Sequence, residues 1–178
     1  MNWINEPPEW REENGVLAVR TGPDSDFWRV THYGFVRDTG HFYCQPITGN
    51  FAADVKVIGR YNHLYDQAGL MLRIDERNWI KCGIEFVDGV QQASAVVTRD
   101  YSDWSVVPLA SRPESIHLRV TRKGDAVRID YSLDGVGYSM LRMAYLPPVD
   151  SLLVGPMCAS PDGPGFGVRF EEFRLRPL

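Results

Sequence analysis

Apolar and polar positions alternate with a period of two along most of this chain, most clearly over residues 65–87. From 70 to 74 every even-numbered residue is leucine or isoleucine, and from 80 to 86 every even-numbered residue is again apolar. A short polar stretch at 76–78 separates the two runs. The pattern predicts two half-buried antiparallel strands joined by a tight turn, with the even-numbered side chains in a core.

Similar short runs continue along the chain, separated by glycine, proline or Asp-Gly. The pairs Asp88-Gly89 and Asp134-Gly135 favour hairpin turns. We expect residues 26–30 to form a strand or an edge loop, residues 34–40 to be irregular, and Pro46 to end a strand, because proline has no N–H for a ladder. Further strands are predicted at 16–20, 41–45, 51–58, 92–99, 104–107, 115–121, 127–133, 138–143, 151–159 and 167–175, the last with Phe170 and Phe173 in the core.

Short strands at this spacing are typical of a sandwich or barrel. No window shows a helical period, and the 16 glycines and 12 prolines leave little room for one. At 178 residues the chain is the size of one large β domain. We therefore predict a single all-β domain over residues 1–178.

Charge and hydropathy narrow the classes of partner. The formal net charge is −4, and positive and negative residues are interspersed without a basic stripe, so we expect no nucleic-acid partner. No apolar run is long enough for a membrane helix, and we expect no membrane association. The first residues lack the charged and apolar regions of a secretory signal, which favours a cytoplasmic location.

The three cysteines, Cys44, Cys82 and Cys158, are odd in number, widely spaced and set among apolar residues. Free buried thiols in a reducing compartment are the expected state. No cysteine or histidine spacing suits zinc. The aspartates in turns, such as Asp24 and Asp162, are explained by turn chemistry. We therefore expect no metal and no cofactor.

Charged side chains share the non-core face of the two strands at 65–87. Arg73 lies on that face of the first strand, and Lys81 and Glu85 lie on that face of the second, beside Trp79. Facing side chains of neighbouring strands lie within reach of an ion pair. We expect Arg73, Lys81 and Glu85 to form one cluster, as a ligand site or alternatively as a salt bridge that only stabilises the sheet.

The block Tyr65-Asp-Gln-Ala-Gly-Leu-Met-Leu-Arg73 is the most specific of several blocks that run essentially from end to end of the chain. Together these blocks closely resemble the regulation-of-enolase protein family, largely a domain of unknown function. The resemblance implies a concanavalin A-like jelly-roll β-sandwich of two antiparallel sheets, similar to a domain appended to some β-xylosidases. The other blocks are residues 26–28, 79–81, 83–85, 97–104, 131–135 and 155–161.

In proteins of this superfamily the concave sheet often holds a sugar. Aromatic side chains offer a platform for the ring and charged side chains fix its hydroxyls, as in many binding clefts. Asp66 is expected to cap a turn. The expected ligand-binding residues are Arg73, Lys81, Glu85, Arg99 and Arg119, the tryptophans Trp28, Trp79 and Trp104, and Gln67.

The residues do not indicate a reaction. Retaining glycosidases of this superfamily carry a Glu-x-Asp-x-x-Glu strand motif that is absent here, and no Gly-x-Ser-x-Gly nucleophile elbow exists. We expect no catalytic residue, and a non-catalytic domain that binds a carbohydrate or a related polar metabolite. The alternatives are a protein-interaction module that regulates a metabolic enzyme and a glycoside hydrolase-like enzyme.

Overall fold

The computed structural model describes residues 1–178. It contains two antiparallel sheets of seven strands each and a ribbon of two short strands. There is no helix, so the predicted all-β sandwich is confirmed. No segment forms a helix that could span a bilayer. The strands are β1 (Asn2–Ile4), β2 (Glu9–Glu13), β3 (Val16–Arg20), β4 (Phe27–Arg29), β5 (Val36–Asp38), β6 (His41–Thr48), β7 (Phe51–Gly59), β8 (Gln67–Arg73), β9 (Asn78–Val87), β10 (Val90–Arg99), β11 (Tyr101–Pro108), β12 (Ile116–Lys123), β13 (Ala126–Ser132), β14 (Ser139–Tyr145), β15 (Ser151–Ala159) and β16 (Gly167–Pro177).

The first sheet has the order β1-β6-β15-β8-β9-β10-β11, and the second has the order β14-β13-β12-β7-β16-β3-β2. β4 and β5 form the separate ribbon. The predicted pair at 65–87 is β8 and β9, at the centre of the first sheet, where Leu72 lies opposite Ile80.

The main core lies between the two sheets, and it takes the side chains that the alternation predicts. Leu72 and Ile80 of the first sheet and Leu118 of the second are fully buried there. Of the C-terminal pair, Phe170 is buried and Phe173 packs against the same core. These two have opposite parity, and a register shift after Glu171, with Glu172 at φ 56°, restores the inward direction for Phe173.

The other face of the first sheet is buried as well, which the sequence did not predict. Residues 21–40, which we call the strap, include β4 and β5 and cover it. Strap residue Phe27 packs with Met71, Trp79 and Met157 in a second, smaller core. Every residue of β8 is consequently buried. A face predicted to be open is therefore the floor of a covered cleft.

Two local predictions are wrong. β6 continues through Pro46 to Thr48. Beside Pro46 only β15 is paired with β6, because β1 pairs only with residues 42–44, so the N–H that proline lacks is not needed on the β1 side. Residues 36–38 form β5 instead of an irregular stretch, because they pair with β4. In contrast, all three cysteines are free and buried, as expected.

Candidate functional site

A pocket of about 160 Å³ lies between the strap and the first sheet. β8, β9 and β11 supply its floor and one wall, and the strap supplies the opposite wall. Its aromatic lining consists of Trp28, Tyr33, Phe35, Tyr65 and Trp104. Its polar lining consists of Asp26, Arg37, Gln67, Lys81, Glu85 and Asp162.

Lys81 holds the strap against the sheet. Its ammonium donates to the main-chain oxygen of Phe27 at 2.7 Å and to Gln67 Oε1 at 2.6 Å. Asp26 Oδ1 lies 3.4 Å away as the third acceptor. An ammonium has three hydrogens, and each has a partner within the protein. The buried charge of Lys81 is therefore matched, and its contribution to the pocket is to fix Asp26 and Gln67 in place.

Glu85 is the buried carboxyl group of the pocket. Ser94 Oγ donates to Glu85 Oε2 at 2.7 Å, and Trp104 Nε1 donates to the same Ser94 oxygen at 3.1 Å. Burial raises the pKa of Glu85, although Lys81 and the Ser94 hydrogen bond act in the opposite direction. The Ser94 hydrogen bond ends on Oε2 and no hydrogen bond of the protein ends on Oε1, although the nearby Trp104 indole also lowers the pKa of the carboxyl group. Oε1 is free to accept a hydrogen bond from a ligand.

Asp26 is arranged in a similar way. Its Oδ1 accepts from the Phe27 amide at 2.8 Å and also faces Gln67 Nε2 at 3.4 Å. Its Oδ2 makes no hydrogen bond within the protein. The pocket therefore presents two carboxylate oxygens whose own hydrogen-bonding capacity is unused.

Aromatic rings enclose these two carboxyl groups. Trp104 meets Trp28 edge to face at 6.5 Å and Tyr65 at 6.3 Å between ring centroids. The hydroxyls of Tyr33 and Tyr65 are 2.8 Å apart and join the strap to the loop before β8. The Arg37 guanidinium lies 4.5 Å from the centroid of the Phe35 ring. The walls are thus apolar faces fixed by polar contacts at their rims.

The loop before β8 is fixed by Asp66, as predicted. Its fully buried carboxylate accepts from the amides of Asn62 and His63 and from Ser160 Oγ. Tyr65 adopts a left-handed backbone with φ 64°. Such a conformation is uncommon for a residue other than glycine, and the contacts of Asp66 hold the loop that contains it.

A pair of glycines, which have no side chains, forms part of the pocket floor. Gly69 and Gly83 face each other on β8 and β9, between the Gln67–Glu85 pair and the Met71–Lys81 pair. A Cβ on Gly83 would lie 2.0 Å from the Ala68 carbonyl oxygen, so no larger residue fits. The Lys81 side chain can therefore reach Gln67 across this backbone without obstruction.

The structure brings Lys81, Glu85, Gln67, Trp28 and Trp104 together around the pocket, as the sequence suggested. It places Arg73 and Trp79 on the same face of the sheet but outside the pocket. Arg73 pairs with Asp38 of the strap, 2.8 Å from Nη2 to Oδ2. Trp79 is only 1% exposed and packs against Phe27 in the second core. The single predicted cluster of Arg73, Lys81 and Glu85 is thus divided by the strap.

Arg99 and Arg119 lie elsewhere. Arg99 has the parity of the main-core residues of β10, and its guanidinium lies 5.2 Å from the ring of Tyr145 in the second sheet. Arg119 is on the outer face of the second sheet, where it pairs with Asp54 at 2.6 Å. The prediction that they lie in the cleft is wrong, because strand parity directs Arg99 to the other face of the first sheet and Arg119 belongs to the second sheet.

Sequence reasoning missed most of the strap. Asp26 comes from a stretch predicted to be a strand or an edge loop, and Phe35 and Arg37 come from a stretch predicted to be irregular. Tyr33 lies between those two stretches. The available signal was the density of aromatic residues between 27 and 35, in a stretch too irregular for a core strand. No group of three histidine, cysteine or acidic residues is placed to hold a metal ion.

Comparisons with known proteins support the resemblance. A family described as "Protein of unknown function (DUF1349)" matches residues 3–178. "Regulation of enolase protein 1" of Saccharomyces cerevisiae is 42% identical over 173 residues, which is 97% of this chain and 87% of that protein. A crystal structure of a functionally unknown protein from Saccharomyces cerevisiae is 41% identical with a TM-score of 0.96, covering 99% of this chain and 96% of that one.

A more distant structure has the same fold. The carbohydrate-binding module CBM66 from Bacillus subtilis is 10% identical, with a TM-score of 0.60 over 98% of this chain and 94% of that chain. At this identity the likeness concerns the fold alone.

Proposed function

This chain belongs to the DUF1349 family, and from the pocket beneath its strap we propose that it binds a single sugar residue or a related small polyol. The ligand lies between the aromatic walls and donates its hydroxyls to Asp26 and Glu85. The proposed activity is binding alone, without the breaking of any bond.

The observation that carries this proposal is the combination of aromatic faces with unused acceptors. The C–H faces of a sugar ring pack on rings such as Trp28 and Trp104, while its hydroxyls need acceptors. Asp26 Oδ2 and Glu85 Oε1 have no partner within the protein. A hydrogen bond to a charged acceptor is worth more than one between neutral groups, and burial increases this difference.

The size of the pocket limits the ligand. Its volume is about 160 Å³, below the roughly 300–1,000 Å³ of pockets for drug-sized ligands. A single ring or a short open-chain polyol suits this space, and a long oligosaccharide does not. The terminal residue of a chain would enter with the remainder in solvent.

The structural likeness gives further support of a general kind. CBM66 is by its name a carbohydrate-binding module, and it shares this fold over almost its whole length. A sandwich of this architecture can therefore carry a carbohydrate site. In this chain, the residues of the proposed site are those that line the pocket beneath the strap.

The test is a calorimetric and thermal-shift screen of monosaccharides, sugar alcohols and short glycans. The informative variants are Trp104→Ala, which removes one wall, and Glu85→Gln, which keeps the shape but changes the acceptor. Tyr101→Ala is the matched control, because Tyr101 is on the same strand, is 64% exposed and lies outside the pocket.

We expect a compound that stabilises the wild type and Tyr101→Ala but binds Trp104→Ala and Glu85→Gln at least about tenfold more weakly, a loss of about 1.4 kcal/mol. Failure of every compound to stabilise the wild type would contradict the proposal, as would equal binding by Trp104→Ala. Release of nitrophenol from aryl glycosides, abolished in Glu85→Gln, would instead indicate a hydrolase in which the raised pKa of Glu85 supplies a proton donor.

A second candidate follows from the relative with 42% identity, which is named for regulation of enolase. In this reading the domain binds a metabolic enzyme and alters its activity. Sedimentation of purified domain with purified enolase, together with an assay of enolase activity, would test it. A complex that forms without any sugar and persists in Trp104→Ala would favour this reading over the first.

A further inference from the structure

An open groove of about 760 Å³ lies on the outer face of the second sheet, on the opposite side of the sandwich from the pocket. Its floor includes Ala18 of β3 and Gly167 of β16, with Ile58 of β7 beside them. Ala18 is the cross-strand partner of both Arg11 and Arg169, and Gly167 is the partner of Arg20. The main-chain N–H of Arg60 donates to the oxygen of Gly167 at 3.0 Å. Two small residues thus leave part of the floor open, and arginines surround it.

The glycine in the floor is not required by the backbone. Gly167 does not have a positive φ, and a Cβ built on it would have no atom within 4 Å. The absent side chain therefore leaves open space above the sheet rather than relieving a clash. A larger residue would stand in the groove without disturbing the strand.

The arginines of the groove are largely free of carboxylate partners. No carboxylate oxygen lies within 4.0 Å of the guanidinium of Arg11, Arg20 or Arg60. Arg169 lies 3.5 Å from Glu171, a carboxylate that is shared with Lys56. Glu9 also lines the groove.

Elsewhere on the same face several cations are paired, although Arg174 is not. Asp54 pairs with both Arg119 and Arg176, and Asp130 pairs with Arg128. The groove therefore brings together several arginines without ion pairs, in a chain whose net charge is −4.

We propose that this groove binds a compact polyanion, a small molecule carrying two or more phosphate or carboxylate groups. A guanidinium fork binds either group through two parallel hydrogen bonds, which gives the site its preference for anions. Because the arginines stand on several sides of the groove, they can contact one compact ligand at the same time. The site is separate from the sugar pocket and does not depend on the function proposed for it.

The experiment is calorimetric titration with pyrophosphate and, separately, with citrate at low ionic strength. Arg20→Ala removes a charge at the groove, and Gly167→Leu fills the floor while leaving every charge in place. Arg174→Ala is the matched control, because Arg174 is also without an ion pair and is on β16 outside the groove. Trp104→Ala tests independence from the pocket beneath the strap.

We expect at least one of the two anions to bind the wild type, Arg174→Ala and Trp104→Ala with affinities within about threefold of one another. Binding should be at least about tenfold weaker in Arg20→Ala and Gly167→Leu, and it should weaken as salt is added because the contacts are charged. The ratio of pyrophosphate to citrate affinity distinguishes phosphate from carboxylate ligands. Absence of binding by the wild type, or equal losses in Arg174→Ala and Arg20→Ala, would overturn the proposal, and so would full binding by Gly167→Leu.

Discussion

The Ser94 hydroxyl of β10 donates a 2.7 Å hydrogen bond to Glu85 Oε2 on the neighbouring strand β9. The contact orients Glu85 but does not compensate for its burial, because the other oxygen faces the pocket. An under-satisfied buried carboxyl group is costly to a fold and useful to a binding site. This relationship provides a direct test of whether the site costs the fold stability.

Glu85→Gln is expected to change the dependence of stability on pH. The pKa of Glu85 is raised in the folded protein above its ordinary value of 4.5. The folded state then binds more protons than the unfolded state between those two values, so the contribution of Glu85 to stability falls as the pH rises through the folded pKa. Glutamine has no such dependence. Its stability relative to the wild type should therefore increase from pH 5 to pH 8.

Chemical unfolding of both proteins across that pH range measures the effect. Glu114→Gln is the control, because Glu114 is exposed. A constant difference between Glu85→Gln and the wild type over the whole range would show that the carboxyl group is not significantly perturbed by burial.

Leu72→Ala should lower the free energy of unfolding by about 2–5 kcal/mol, through lost burial and the cavity it leaves. Met71→Ala on the opposite face should have a cost of the same order, because the strap buries that face too. Leu133, which is 44% exposed, provides the control. A loss below about 1 kcal/mol for Met71→Ala would mean that the strap does not pack on the sheet in solution.

Arg73→Ala should loosen the strap. Its guanidinium makes a bidentate contact with Asp38 and lies 5.9 Å from the centroid of the Phe27 ring. Asp38 is partly exposed and regains water, so we expect a loss of about 1–3 kcal/mol rather than the full cost of an orphaned buried charge. Hydrogen exchange should accelerate mainly in residues 21–40. Acceleration spread evenly over both sheets would instead indicate global destabilisation.

His41 should make the fold sensitive to mild acid. Its Nδ1–H donates to the Asn5 oxygen at 2.7 Å and its Nε2 accepts from the Gly22 amide at 2.9 Å, an arrangement available only to the neutral ring. Burial lowers its pKa below 6.5. The unfolded state therefore takes up the proton first, so this stability is complete above pH 6.5 and is lost as the pH falls through the folded pKa.

Unfolding free energies of the wild type and His41→Gln between pH 5 and pH 8 test this. The difference between the two should narrow as the pH falls, because only the wild type loses the neutral-ring contacts. His32→Gln, at an exposed site, should follow the wild type throughout. Parallel curves for the wild type and His41→Gln would contradict the assignment.

The three thiols should be reduced and unreactive in the native protein. Burial raises the pKa of Cys82 to about 12 and also raises the pKa of Cys44 and Cys158. A thiol reagent should therefore react with all three cysteines in denaturant and with none rapidly in native buffer. Fewer than three reactive groups in denaturant would reveal a disulfide.

Much of the fold could be predicted from the sequence, because strand and turn formation depend on residues that are close together in the sequence. Alternation at 70–74 and 80–86 predicts two strands and assigns their inward faces, since side chains alternate across any pleated strand. Asp88-Gly89 and Asp134-Gly135 predict turns for a similarly local reason. The free cysteines and the role of Asp66 also followed from neighbouring residues.

The pocket was decided by tertiary structure. Whether the second face of β8 meets water or protein depends on the strap, whose position is determined by long-range contacts such as Lys81 with Phe27 and Arg73 with Asp38. Parity places Arg73 and Lys81 on one face, but it does not show that Arg73 pairs with Asp38 of the strap and Lys81 with Asp26. Glu85 becomes buried, and Lys81 finds its partners, only when residues distant in sequence come into contact. A local sequence pattern does not contain information on such contacts.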